Sequence, residues 1–274
     1  MAHEPGIPQQ SPALTHSLPE LWHLLSLDAP TVAILWFLLA ARTAHLHLCV
    51  ADSAALFLGT WMMYVIDRLL DAHGGEPCPE ERHRFHGAHG RAFVIALLCA
   101  TPVQVCLLTK ADAALLHSWL VLAAGIAGYY TLIHSRKFKT PLPKELAVAV
   151  AFSAAIFMPE LLAPSPLLPH AIYFCALCWV NSTAIYEREH DTLQAAHWST
   201  RLVLHYTPAL QVLVLAASIA LCFLHRAPRA LALSMALSAV ILIALRSSRH
   251  RMGRLRYRVA ADAALLTPLL FLFR

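Results

Sequence analysis

Charge is what this sequence has least of. Asp, Glu, Lys and Arg make up 14% of its 274 residues while 58% are apolar, where soluble domains carry about a quarter charged. A fold of this length facing water needs a charged surface over its core. The deficit therefore excludes an ordinary cytosolic enzyme, and the composition also excludes disorder, collagen and coiled coil. Lys and Arg are missing from the first 27 residues, so the charged start of a signal peptide is absent. The expectation there is a tail over residues 1–29 that ends in an interfacial stretch, Leu21 to Leu27. A disulfide framework is not expected either. Cys49, Cys99, Cys106, Cys175, Cys178 and Cys222 all lie in apolar segments, where free Cys packs as a small hydrophobe.

What fills the chain is long apolar runs. A bilayer core takes ~20 mostly apolar residues per helix, and segments near 30–48, 50–70, 92–109, 112–133, 145–163, 167–186, 202–224, 229–246 and 259–273 approach that length. Lipid offers no partner to exposed backbone, so the spans must be helices. The fold class expected is all-α: a polytopic membrane protein of about nine transmembrane helices, one domain over residues 30–274. With the N-terminus cytoplasmic, 16 of the 21 Lys and Arg residues fall on the inner side, which sets that orientation. A bacterial inner membrane suits this layout.

Several of the 16 acidic residues fall where apolar helices end. Asp67 and Asp71 close the second span and flank Arg68. Glu187 and Asp191 close the sixth around Arg188. Each pair is four residues apart, so both carboxylates project from one helical face. Like charges at that spacing repel, and a divalent cation relieves the conflict. Mg²⁺ takes oxygen ligands and bridges to substrate phosphates. The plainer account is a solvated helix end with Arg68 or Arg188 as salt-bridge partner. On the same side runs the basic stretch from Tyr130 to Lys144, with Arg136, Lys137 and Lys139. Arg and Lys are the usual partners of phosphate oxygens, though such a stretch also anchors to lipid headgroups.

In this order the elements resemble the UbiA superfamily of intramembrane prenyltransferases. Its first motif, Asn-Asp-x-x-Asp-x-x-x-Asp, aligns its last two acids with Asp67 and Asp71, and Met63-Tyr64 stands where the family has Asn-Asp. Glu187-Arg188-Glu189-His190-Asp191 resembles the second motif, Asp-Arg-Glu-Asp-Asp. Tyr130 through Thr140 is similar to the Tyr…Lys-Arg…Thr segment after helix four. Leu27-Asp28-Ala29-Pro30 resembles the Asp-Lys-Pro opening of the first helix.

The resemblance implies nine helices with the active face cytoplasmic. It implies transfer of an isoprenyl group from its diphosphate to an acceptor, often an aromatic ring, with membrane lipids as surroundings and no nucleic acid as partner. Asp67, Asp71, Glu187 and Asp191 would be the Mg²⁺ ligands, and Lys137 the leading diphosphate contact beside Arg136 and Lys139. Arg68, Tyr130 and Asn181 join the substrate-binding set, with Arg82 and Arg84 from the cap the family places over its site. His83, His86 and His89 at three-residue spacing also suggest a transition metal, but among 17 His composition is the better account. Asn181 is open to two roles, lining the cavity or bonding between helices. Two alternatives stay open: a cyclase on the same scaffold, and a non-catalytic lipid-diphosphate binder or transporter.

Overall fold

A computed structural model describes residues 17–73, 81–134, 144–162, 167–189, 198–223 and 229–273. Among them there is no strand. The helices in chain order are α1 (Leu18–Leu24), α2 (Asp28–Thr43), α3 (Val50–His73), α4 (Glu81–Ala88), α5 (Gly90–Leu108) and α6 (Ala113–His134). They continue as α7 (Lys144–Leu162), α8 (Leu168–Glu189), α9 (Trp198–Phe223), α10 (Arg229–Ser248), α11 (Arg254–Ala263) and α12 (Leu269–Leu272).

Six helices among the described residues are long and apolar enough to cross a membrane: Val50–Ala72, Gly90–Leu108, Glu145–Leu162, Leu168–Glu189, Thr200–Phe223 and Arg229–Arg251. The count is seven if α1 and α2, which meet at 90°, form one broken span. Among the described residues the expectation of about nine spans is not confirmed, for two physical reasons. The 16 residues of α2 rise only about 24 Å against a hydrocarbon core of about 30 Å. The ninth segment does not form one helix: α11 opens with Arg254, Arg256 and Arg258, a 3₁₀ turn follows at Ala264–Leu266, and Pro268 caps the short α12.

The core is built around α2. Val32, Ala33, Trp36, Phe37, Leu39 and Ala40 are buried together with Ile156 and Phe157 of α7, Phe174 and Leu177 of α8, and Met235 of α10. Alanines at 33, 40 and 41 let neighbouring helices approach closely, as membrane bundles require. Trp36 packs at 4.6 Å between ring centroids on Phe174. Its indole N–H donates to the Leu265 carbonyl at 2.8 Å, which ties the irregular C-terminal segment to the centre. Ser238 and Thr267 share a hydroxyl hydrogen bond at 2.8 Å, and Thr267 also donates to the Ser234 carbonyl. By contrast, Val94, Ile95, Leu98, Val103 and Val105 of α5 are exposed, an apolar face suited to lipid.

The turn from α1 into α2 fixes one end of the bundle. Ser17 and Glu20 close a capping box at the start of α1, satisfying its first amides. Ser26 then takes a left-handed φ of 61°, costly for a residue with a Cβ. Two contacts hold it there: Ser26 Oγ meets His86 Nε2 at 3.2 Å, and Trp61 of α3 donates to the Leu25 carbonyl.

Candidate functional site

The charged residues of the bundle collect at one end, where α2 and α11 begin and α3, α8 and α10 finish. At the foot of α8, Glu187 is paired with Arg246 at 3.0 Å and Arg249 at 2.9 Å. Arg188 donates to the carbonyls of Arg249 and Met252, and Glu189 pairs with Arg258. The Arg246–Arg258 stretch, which in sequence reads as an anchor for anionic lipid, therefore docks in large part on the acidic end of α8.

On α3, Asp67 and Asp71 are half-buried, while Arg68 between them is only 2% exposed. The Arg68 guanidinium lies 5.6 Å from the Tyr64 ring centroid, and its Nε and Nη1 have no hydrogen-bond partner among the described residues. Its charge acts on Asp28, which opens α2. Arg82 on α4 is half-buried and Arg84 exposed. His86 of α4 and His89 just after it are engaged locally. His86 Nδ1 donates to the Arg82 carbonyl at 2.9 Å, which leaves Nε2 to accept from Ser26, and His89 Nδ1 donates to the Phe85 carbonyl. Neither is arranged to ligate a metal.

A second polar group lies where α1, α2 and α11 meet. His23 Nδ1 is 2.6 Å from Asp28 Oδ2 and 3.6 Å from Asp262 Oδ2. Asn181 of α8 donates to Asp262 Oδ1 at 3.3 Å, so the interhelical role for Asn181 is the one observed. A cleft of about 110 Å³, lined by Trp22, Thr31, Val259 and Leu266 among others, opens onto these three side chains. Burial and the neighbouring Asp28 charge hold the Asp262 carboxyl well above the usual carboxylate range; two buried carboxylates side by side cannot both ionise freely.

The structure thus brings Asp67, Arg68, Asp71, Arg82, Glu187 and Asn181 to one end of the bundle. Asp191, Arg136, Lys137 and Lys139 lie outside the described residues, as does the side chain of Tyr130. For Mg²⁺ the expected four-acid set fits poorly at Glu187. Its Oε1 already accepts from Arg246 and Arg249, its Oε2 lies 3.0 Å from Arg246 Nη1, and binding a cation there would strip two arginines of their partner. Sequence reasoning missed His23 altogether. It met Asp28 only in the opening of the first span, and nothing in a linear chain joins a residue at the start of α2 to Asp262 in α11. Compared with protein-family models, curated proteins and solved structures, the chain matches none.

Proposed function

We propose that the chain is a membrane-embedded prenyltransferase that moves an isoprenyl group from its diphosphate to an acceptor, an aromatic ring being the acceptor class the sequence resemblance favours. The observation that carries this reading is Arg68: a buried guanidinium with unpartnered N–H groups, set between Asp67 and Asp71 at the end of an apolar helix. A buried cation of this kind is costly in a membrane protein unless an anion or a counter-charge meets it. An isoprenyl diphosphate supplies both halves of what such a site takes, an anionic head for Arg68 and an apolar tail for the helices around it.

The chemistry then follows from charge. The allylic C–O bond breaks with its electron pair leaving on the diphosphate, and Arg68, with Arg82 and the basic stretch Arg136, Lys137 and Lys139, stabilises that departing charge. The carbocation adds to the acceptor carbon, which loses its proton to a base. Apolar helices keep water from the cation. Mg²⁺ belongs to the reading through Asp67, Asp71 and Asp191, and no step here depends on it.

The test is diphosphate release from isoprenyl diphosphates of several lengths, using purified chain in nanodiscs with and without Mg²⁺. Release is expected in the wild type and is expected to fall at least ~100-fold in Asp71→Ala, Asp191→Ala and Arg68→Met. Folded protein that neither binds nor cleaves any of these substrates would sink the proposal. A second reading, a binder of lipid diphosphates without turnover, is favoured by the closed Glu187–Arg246–Arg249 cluster; saturable binding with no release would select it.

A further inference from the structure

We infer that His23, Asp28 and Asp262 form a binding site for one divalent first-row transition-metal ion, with an anion that Arg68 also meets as a further ligand. The donor set comes first. One atom each from His23, Asp28 and Asp262 lies within 4.8 Å of the others. A mixed imidazole and carboxylate set suits Mn²⁺, Fe²⁺ or Zn²⁺. An ion about 2.1 Å from each donor would place the donors roughly 3.0–3.4 Å apart, depending on geometry. The two separations from His23 Nδ1, 2.6 and 3.6 Å, bracket that range. Movements well under an ångström of two side chains would bring these donors to it.

The surroundings point the same way. Asp28 Oδ1 is buried with no hydrogen-bond partner among the described residues, and the His23 side chain is only 2% exposed. Such groups are costly unless something meets them. Asn181 donates to Asp262 from behind, in the manner of groups that orient metal ligands. His23 and Asp28 are presented by the tight α1–α2 turn, which is pinned through Ser26 and Leu25. The cleft gives an ion and its waters a path in.

Electrostatics then calls for a third participant. A divalent ion cancels the two carboxylates, but the Arg68 charge acts on this cluster and opposes a bare cation. An anion that ligates the ion and accepts from Arg68 Nε and Nη1 removes that opposition. Phosphate oxygens match both demands. The metal half stands apart from prenyl transfer, while the anion half shares Arg68 with that reading.

The experiment is a Mn²⁺ titration of the full chain in nanodiscs, read by electron paramagnetic resonance. One site per chain is expected. His23→Gln and Asp262→Asn should each weaken it at least ~10-fold, and Asn181→Ala by about 10-fold. Glu160→Gln should leave it unchanged; that residue is near the end of α7 that packs by Ser153 against the start of α8, away from the cluster. Inorganic phosphate should tighten Mn²⁺ binding in the wild type and not in Arg68→Met, the two ligands being reciprocally linked. On wild-type protein, spin-echo modulation should show ¹⁴N coupling from one imidazole, which keeps the test informative if a variant fails to fold. Absence of a stoichiometric site, absence of ¹⁴N coupling, or equal affinity in His23→Gln and Asp262→Asn would overturn the metal assignment. No effect of phosphate on the wild type would overturn its anion half. None of these readouts depends on diphosphate release, so the two proposals fail separately.

Discussion

At the residue scale, Glu187 shows how a motif can hold its letters and still be committed elsewhere. Spacing puts Glu187 and Asp191 on one helical face, but it does not reveal what the rest of the chain delivers to them. Here Arg246 and Arg249 arrive from α10 and the turn after it. Glu187→Gln is therefore expected to cost about 1 kcal/mol of stability, the scale of a partly exposed ion pair. It should lower the thermal midpoint in detergent while changing diphosphate release by only a few-fold. A loss as deep as that of Asp71→Ala would mean the carboxylate leaves its arginines to serve a metal. Arg68 is the opposite case. The sequence marks it as a neighbour of two acids and, through the resemblance, as a substrate contact, and its burial beside Tyr64 makes it the centre of the charged end.

Elements were legible wherever periodicity did not matter and length did. The runs near 50–70, 92–109, 145–163, 167–186, 202–224 and 229–246 became α3, α5 and α7 through α10 with small shifts at their ends. The interfacial stretch Leu21–Leu27 corresponds to α1 and the turn that sets it at 90° to α2. The run 259–273 did not become one helix, because its apolar composition hides what decides its shape. Trp36 donates to the backbone carbonyl of Leu265, Thr267 bonds into α10, and Pro268 interrupts the ladder. Trp36→Phe keeps the ring but removes the donor and leaves a buried carbonyl unmet, so a loss of about 1 kcal/mol is expected. Denaturation in mixed micelles measures it; no change would mean water or another group takes the carbonyl.

At the scale of the whole molecule, the asymmetry of charge was readable and the convergence of distant side chains was not. Lys and Arg placement marks one end of the bundle, and the contacts among α8, α10 and α11 gather there. Cys49 lies at the other end, its thiol 3.9 Å from the Lys110 carbonyl in the α5–α6 turn. With the remaining cysteines replaced by Ser, Cys49 and a Cys introduced by Arg251→Cys should react with a membrane-impermeant maleimide from opposite sides of sealed vesicles. Labelling of both from one side would refute the bundle orientation drawn here. His23, Asp28 and Asp262 belong to this scale too, since only packing of α1, α2 and α11 makes them neighbours.

The brevity of α2 bears on how the chain enters its membrane. At about 24 Å it is too short to hold a bilayer alone, yet it is the helix most surrounded by protein in the finished molecule. Its insertion must therefore be deferred until later segments supply walls. A helix made early is thus seated late, and the charged end at its foot takes shape only once α11 has been made.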